Sequence, residues 1–412
     1  MTTLDTVARQ LRDRIREQLD PTGEMSDESL LRTIEEAVYR YSSSGHVLTA
    51  NEKETVIRRI FHSFRGLDIL QPLLEDPSIT EIMINAHDEI FIERDGKMTR
   101  YAGRFESREK LEDVIQAIVA KVNRAVNEAS PIVDARLADG SRVNVVLPPI
   151  ALKGPAVTIR KFPARPLTMA DLVERGTIDL RAASFLEKLV RAKYNIFIGG
   201  GTGSGKTTFL NALCQYVSDD ERIVTIEDSA ELQIRSVPNW VRLETRNANT
   251  EGKGAITMRD LIKSSLRMRP DRIIVGEVRG AEAIDMLTAM NTGHDGALST
   301  GHANSVRDML SRLETMVLSG SPLPVDAIRR LIASAVDVMI HLARFRDRSR
   351  KVVEITELVG VEQGEIVLNP LFRFVEEGET ADGKIKGSLR PTGNAMRKTH
   401  KFAIAGIPYD SS

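Results

Sequence analysis

The 412-residue chain is short of four things, and each shortage excludes something. It has one cysteine, Cys214, which rules out an intrachain disulfide and any zinc site built on several thiolates; a reducing, cytosolic setting is the natural expectation. Aromatic residues make up only 5 % and tryptophan occurs once, too few to line a groove with stacking platforms for single-stranded nucleic acid. Net charge is nearly absent: 57 Lys and Arg against 58 Asp and Glu leave −1, so bulk electrostatics draws the chain neither to nucleic acid nor to an anionic bilayer. No run approaches the ~18–20 apolar residues of a membrane span. The first twenty residues have no apolar stretch and carry an acid already at Asp5, so they are not expected to act as a signal peptide. Work at a membrane would require recruitment to it.

What is present divides along the chain, and the length alone suggests about two to three domains. Leu4, Val7, Leu11, Ile15 and Leu19 fall at helical spacing. The opposite face balances Arg9, Arg12, Arg14 and Arg16 against Asp5, Asp13, Glu17 and Asp20, as expected of a helix packed on protein rather than on lipid. A second helix is expected from Ser26 to about Tyr41. A third starts at Thr49, whose pairing with Glu52 has the capping-box pattern, buries Val56, Ile57, Ile60 and Phe64, and stops at Gly66. Residues 1–66 thus read as a helical N-terminal unit.

From 67 to 162 the pattern is α+β. Strands are expected at 80–86 and 89–94, with a hairpin turn at Asp95-Gly96 after the second, and a helix over 108–127. Two strands follow, turning at Asp139-Gly140, and a last one ends near Phe162. Pro163 and Pro166 suggest a linker over 163–175. Over 176–390, short apolar strands alternate with helical patterns, the signature of a parallel sheet, and a terminal hairpin closes the domain. A loose polar tail is expected over 391–412.

The segment Gly199–Thr208, GGGTGSGKTT, contains G-x-x-x-x-G-K-T between an apolar strand and a helix. Glycines admit positive φ and let backbone N–H groups approach phosphate; the helix N-terminus favours the anion. Gly200, Gly201, Thr202, Gly203, Ser204, Gly205, Lys206, Thr207 and Thr208 are the expected ATP-binding residues. Lys206 would reach the β- and γ-phosphates, and the Thr207 hydroxyl would ligate Mg2+. In RPDRIIVGEVRG, Glu277 ends a strand at a Walker B position and would hold Mg2+-bound water. TIEDSAEL places Glu227, Asp228 and Glu231 at another strand end, where a carboxylate can polarise an attacking water. NTGHDGALSTGHANS brings His294 and His302 to a third strand, both expected near the γ-phosphate.

These four boxes, in this order, resemble the secretion ATPase superfamily of type II and type IV secretion and type IV pili, over about residues 67–370. Within it the chain is similar to the Tad (Flp) pilus assembly ATPases, on GLDILQPLLEDPSITEIMIN, DGSRVNVVLPP and AVTIRKF. The helical N-terminal unit and the lack of a tetracysteine zinc element fit that type. The resemblance implies a RecA-like P-loop ATPase domain after an α+β N-terminal domain, assembled as a cytoplasmic homohexamer on the inner face of the cell membrane. Its partners would be inner-membrane platform proteins and, indirectly, pilin; no nucleic acid is expected. It implies Glu231 as catalytic base, Glu277 in the Walker B role and His302 coupling the phosphate state to the sheet. Arg142 and Arg160, with Lys161 as a weaker third, would reach the nucleotide from the N-terminal domain. Three other readings stay open: a type II or conjugative type IV secretion ATPase, a nucleotide-sensing scaffold, and a nucleic-acid translocase.

Overall fold

The computed structural model describes residues 3–18, 25–94, 96–122, 125–162, 165–248 and 253–409. The chain forms two compact units, 1–164 and 165–412. No helix among the described residues is long and apolar enough to cross a membrane.

The first unit opens with α1 (Thr3–Gln18), α2 (Asp27–Ser43) and α3 (Ala50–Arg65). The apolar faces read from the sequence meet in one core: Val7, Leu11 and Ile15 pack with Leu30, Ile34, Val38, Val56 and Ile60. The expected capping box is formed: Thr49 Oγ1 accepts from the Glu52 N–H, and the Glu52 carboxylate accepts from the Thr49 N–H. Leu19 lies outside the described residues. A single turn of 3₁₀-helix and α4 (Gln71–Glu75) lead into β1 (Ile79–Ala86), β2 (Glu89–Arg94) and β3 (Lys97–Arg100). Then follow α5 (Arg108–Ala120), β4 (Ile132–Arg136), β5 (Arg142–Val146) and β6 (Ala156–Arg160).

These six strands make an antiparallel sheet in the order β3-β2-β1-β6-β5-β4. Its inward residues pack on Leu111, Val114, Ile115, Ile118 and Val119 of α5. Two expectations change. β3 is an additional strand, missed because all four of its residues are exposed and carry no apolar alternation. The helix expected to reach 127 ends at Ala120. Of the Asp95-Gly96 turn, Asp95 lies outside the described residues.

The second unit runs α6 (Met169–Glu174), α7 (Leu180–Arg191), β7 (Ile196–Gly200), α8 (Lys206–Cys214), β8 (Ile223–Glu227), β9 (Trp240–Glu244) and α9 (Met258–Ser265). It continues with β10 (Arg272–Val275), α10 (Ala283–Met290), β11 (Leu298–His302), α11 (Val306–Gly320) and α12 (Val325–Ala335). The end of the chain holds β12 (Val338–Arg344), β13 (Arg350–Glu362), β14 (Glu365–Glu379), β15 (Ile385–Pro391) and α13 (His400–Ile404). The nine-stranded sheet has the order β15-β14-β13-β12-β7-β11-β10-β8-β9. It is parallel from β12 to β9 and antiparallel beyond. β7 lies between β12 and β11 and is buried on both faces. Ile196 and Ile198 enter the core on one side of the sheet and Phe197 the core on the other, as pleating requires.

Two more expectations are corrected here. Pro163 of the expected linker lies outside the described residues, and from 165 the stretch is not linker throughout: a Thr168–Asp171 capping box starts α6, and Met169 and Leu172 are core residues. The tail after 391 is not loose up to residue 409. Phe402 packs between Tyr194 and Tyr409. The buried Glu357 carboxylate accepts from the backbone N–H groups of Arg397 and Lys398. Lys401 bonds Asp295, Asp337 and the Lys193 carbonyl. The terminal hairpin is a β13-β14-β15 meander.

Candidate nucleotide site

β7 delivers its carboxyl end into the loop 201–205. Gly203 and Gly205 adopt φ of +71° and +93°, where any side chain is strained. Gly200 has no room for a Cβ, which would stand 2.5 Å from Ser204 Oγ and 2.6 Å from the Leu342 carbonyl. Ser204 is buried and donates to the Gly201 carbonyl at 2.8 Å. α8 begins directly at Lys206, so its first-turn N–H groups are available to an anion held by the loop. The glycine pattern read as phosphate-binding therefore has the backbone that chemistry needs.

The charged residues meet at the carboxyl ends of β7, β11, β10 and β8. Lys206 Nζ donates to the Gly200 and Gly201 carbonyls at 3.0 and 3.1 Å and lies 3.3 Å from His302 Nδ1. Burial pushes the lysine's pKa down, with Glu277 opposing. His302 Nε2 stands 2.7 Å from Glu277 Oε1, an ion-pair distance without hydrogen-bond alignment, and that oxygen is buried with no hydrogen-bond partner. Burial and then Lys206 hold the histidine below its ordinary pKa. A ring whose Nδ1 is unprotonated can accept there from Lys206. Glu277 Oε2 accepts from Arg279 Nε at 2.8 Å, and Arg279 reaches Asp228 at 3.9 Å. A line of groups, Lys206–His302–Glu277–Arg279–Asp228, thus joins the phosphate loop to the acidic loop.

Glu227 is the hidden member of the acidic box. Its Oε1 accepts from the N–H groups of Glu231 and Leu232 at 2.8 and 3.0 Å, while its buried Oε2 has no partner. Burial raises its pKa to about 6 against those two donors. Gly276 makes the room: a Cβ there would stand 2.9 Å from Glu227 Cγ. Glu227 therefore shapes the turn that presents Glu231, whose side chain is only half buried. Glu277 Oε1 and Glu227 Oε2 are buried without a hydrogen-bond partner, and the Thr207 hydroxyl makes no hydrogen bond among the described residues; by chemistry these are hard oxygen donors of the kind hydrated Mg2+ takes, although no cluster of acids and histidines among the described residues forms a metal site by itself.

One expected site residue is elsewhere. His294 lies in the turn that leads into β11, eight residues before His302, and β11 itself, from Leu298 to His302, advances about 13 Å between them. It borders a small apolar cavity with Ile262, Val275, Met286 and Met290. The sequence put both histidines in one box; the length of the strand between them separates their surroundings.

In the first unit, strand register sets Arg142 directly opposite Arg160 on β6 and Arg136 on β4, with Glu81 of β1 beyond Arg160. Arg136 was not picked out, because only the register reveals it as third in the row. Lys161 is otherwise engaged: its ammonium bonds the Leu73 and Asp76 carbonyls. Arg279 was also missed, although its position two residues after Glu277 was the available signal.

A parallel sheet with a glycine phosphate loop on a central strand, and an acid and a histidine ending adjacent strands, defines a RecA-like P-loop ATPase domain, here preceded by an α+β domain. The chain belongs to the family described as type II/IV secretion system protein, whose model matches residues 64–381. It is similar to a Mycobacterium tuberculosis protein provisionally named for conjugal transfer, 39 % identical over 299 residues that cover 71 % of this chain and 84 % of the relative. It is also similar to the type IV secretion system protein VirB11 of Brucella suis, 34 % identical over 316 residues, 70 % of this chain and 88 % of that one. Among solved structures, the Legionella pneumophila ATPase DotB shares the fold with a TM-score of 0.51 at 23 % identity, covering 72 % of this chain and 80 % of DotB.

Proposed function

We propose that this chain is a ring-forming, ATP-hydrolysing motor that powers assembly of a Tad (Flp) type pilus through a platform in the inner membrane. The observation that carries the ATPase reading is the line Lys206–His302–Glu277–Arg279–Asp228, which couples the phosphate loop to both acidic strand ends. In this reading the P-loop amides and Lys206 bind the phosphates of ATP. Glu231 is the base that takes a proton from the attacking water, oriented by the buried Glu227. His302, between Lys206 and Glu277, senses loss of the γ-phosphate. Mg2+, held by Thr207 and through water by Glu277, would supply charge neutralisation of the phosphates. Arg142 and Arg160 close on the nucleotide from the N-terminal domain, and their opening on product release is the mechanical stroke.

The pilus assignment rests on the resemblance of the segments 66–85, 139–149 and 156–162 and on the three-helix unit before them. The motor is a homohexamer recruited to the membrane's inner face. It contacts pilin only through the platform and takes no nucleic acid. The second reading, the ATPase of a conjugative type IV secretion system, is favoured by the names of the two relatives at 39 % and 34 % identity.

The test of the enzyme is phosphate release by the purified chain with Lys206→Ala and Glu231→Gln. Both are expected to lose turnover, and wild-type turnover by Glu231→Gln would remove Glu231 from the role of base. Size measured with and without ATP and Mg2+ tests the ring: a strict monomer in both conditions overturns it.

A further inference from the structure

Five of the eight residues 344–351 are basic, and they make the turn between β12 and β13. This turn stands on the flank of the P-loop away from the Walker B strand: β12 adjoins β7 on one side, and β11 and β10 lie on the other. The flank is rigidly joined to the loop, since Leu342 pairs with Gly200 and its carbonyl fills the space a Cβ would need. The turn is itself braced by the Phe345 N–H to the Ser349 carbonyl and by Asp347, which accepts from Ser349 and from the Ile385 N–H.

Four of these five cations differ in what they touch. Lys351 is buried and donates to the Gly176 carbonyl. Arg346 is paired with Glu376 and Glu379. Arg350 donates from Nε to the Gly203 carbonyl at 2.9 Å, and its Cδ lies 3.3 Å from where a Gly205 Cβ would be. Arg344 stands directly opposite Arg350 in the β-ladder, with a guanidinium nitrogen 3.6 Å from the Cβ position of Gly203. It is exposed and makes no hydrogen bond or ion pair among the described residues. Two arginines directly opposite each other in a ladder repel, and Arg344 itself bonds no carboxylate among the described residues. An anion between the two guanidinium groups and the glycine loop would be favoured by both, since planar bidentate donors suit phosphate oxygens.

We propose that Arg344 and Arg350 form an anion clamp for the α- and β-phosphates of a nucleoside di- or triphosphate, opposite the Glu277–His302 side that faces the γ-phosphate. The proposal rests on the nucleotide-binding reading above and adds a binding role to it. Because the clamp serves phosphates common to ATP and ADP, its loss weakens both alike and falls on KM rather than on kcat.

The test is equilibrium binding of ADP and of a non-hydrolysable ATP analogue to the full chain, alongside steady-state hydrolysis. Arg344→Ala is expected to weaken both ligands about tenfold, the worth of one charge-assisted hydrogen bond, to raise KM by a similar factor, and to leave the melting temperature without nucleotide unchanged. Arg344→Lys should recover part of the affinity, and Arg346→Ala, in the same turn but paired elsewhere, should bind ADP like wild type. Should Arg344→Ala fold poorly, Arg344→Gln, which keeps a polar side chain of similar reach, replaces it with the same expected loss. ADP affinity of Arg344→Ala and Arg344→Gln within twofold of wild type overturns the clamp. So does a loss confined to kcat, which would move the arginine to the γ-phosphate side. A wild-type chain that binds no ADP at all overturns the nucleotide reading itself, and the clamp with it.

Discussion

Glu227 shows how one side chain can set a loop and carry a pH signature. It is 3 % exposed, gives one oxygen to two backbone donors and leaves the other unpaired. Its pKa stands at about 6 in the fold against 4.5 for a free glutamate. An acid whose folded pKa is raised binds its proton more tightly when folded. Its contribution is therefore complete below about pH 4.5 and is lost as pH rises through about 6. The difference corresponds to about 2 kcal/mol. Glu227→Gln keeps an acceptor for Glu231 and Leu232 but cannot ionise. Denaturant unfolding of wild type and variant should show the variant gaining about 2 kcal/mol relative to wild type between pH 4.5 and 7. A difference independent of pH would mean that Glu227 is not the raised acid.

At the scale of elements, the central strands are held at their two ends by different means. The carboxyl ends carry the site. At the other end of β10, Arg272 is fully buried; it bonds both oxygens of Glu221 at 2.7 and 2.9 Å and the carbonyls of Val190 and Gly296. Gly296 has φ of +82°, and a Cβ there would stand 2.5 Å from the guanidinium, so glycine is required by space as well as by backbone. Glu221→Ala leaves a buried cation without its carboxylate and should cost about 3–5 kcal/mol in equilibrium unfolding. The C-terminal segment is a second brace. Phe402→Ala removes the ring stacked on Tyr409 and tilted on Tyr194, and should cost about 3–5 kcal/mol. A loss below 1 kcal/mol would show that the segment adds little to the unit.

At the scale of the molecule, each unit carries its own charged cluster. The second holds the phosphate loop and its acids. The first holds Arg136, Arg142 and Arg160 on three adjacent strands, with Glu81 paired to Arg160. If those arginines act on the nucleotide as proposed, Arg142→Ala and Arg160→Ala should each lower phosphate release steeply, on the order of a thousandfold for an arginine that meets the transition state. ADP affinity should fall much less. Turnover within tenfold of wild type would leave the row with a structural role only.

Local chemistry was legible in the sequence because it is written in neighbouring residues. The glycine loop needs positive φ at Gly203 and Gly205, the capping box needs Thr49 and Glu52 three apart, and an apolar run ending in Gly276-Glu277 needs a buried parallel strand. Each is satisfied within a few residues, so spacing alone determined it. What only the tertiary structure decided depends on partners far along the chain. The length of β11 parts His294 from His302, and register aligns Arg136 with Arg142 and Arg160 and sets Arg344 against Arg350. The polar C-terminal segment is ordered by Tyr194 and Glu357, which no periodicity within the segment could reveal. The sequence by itself thus determined a phosphate loop on a parallel sheet, because backbone conformation and burial pattern are local demands. Which charges face one another there was decided by strand order and register, because those are set by the packing of the whole sheet.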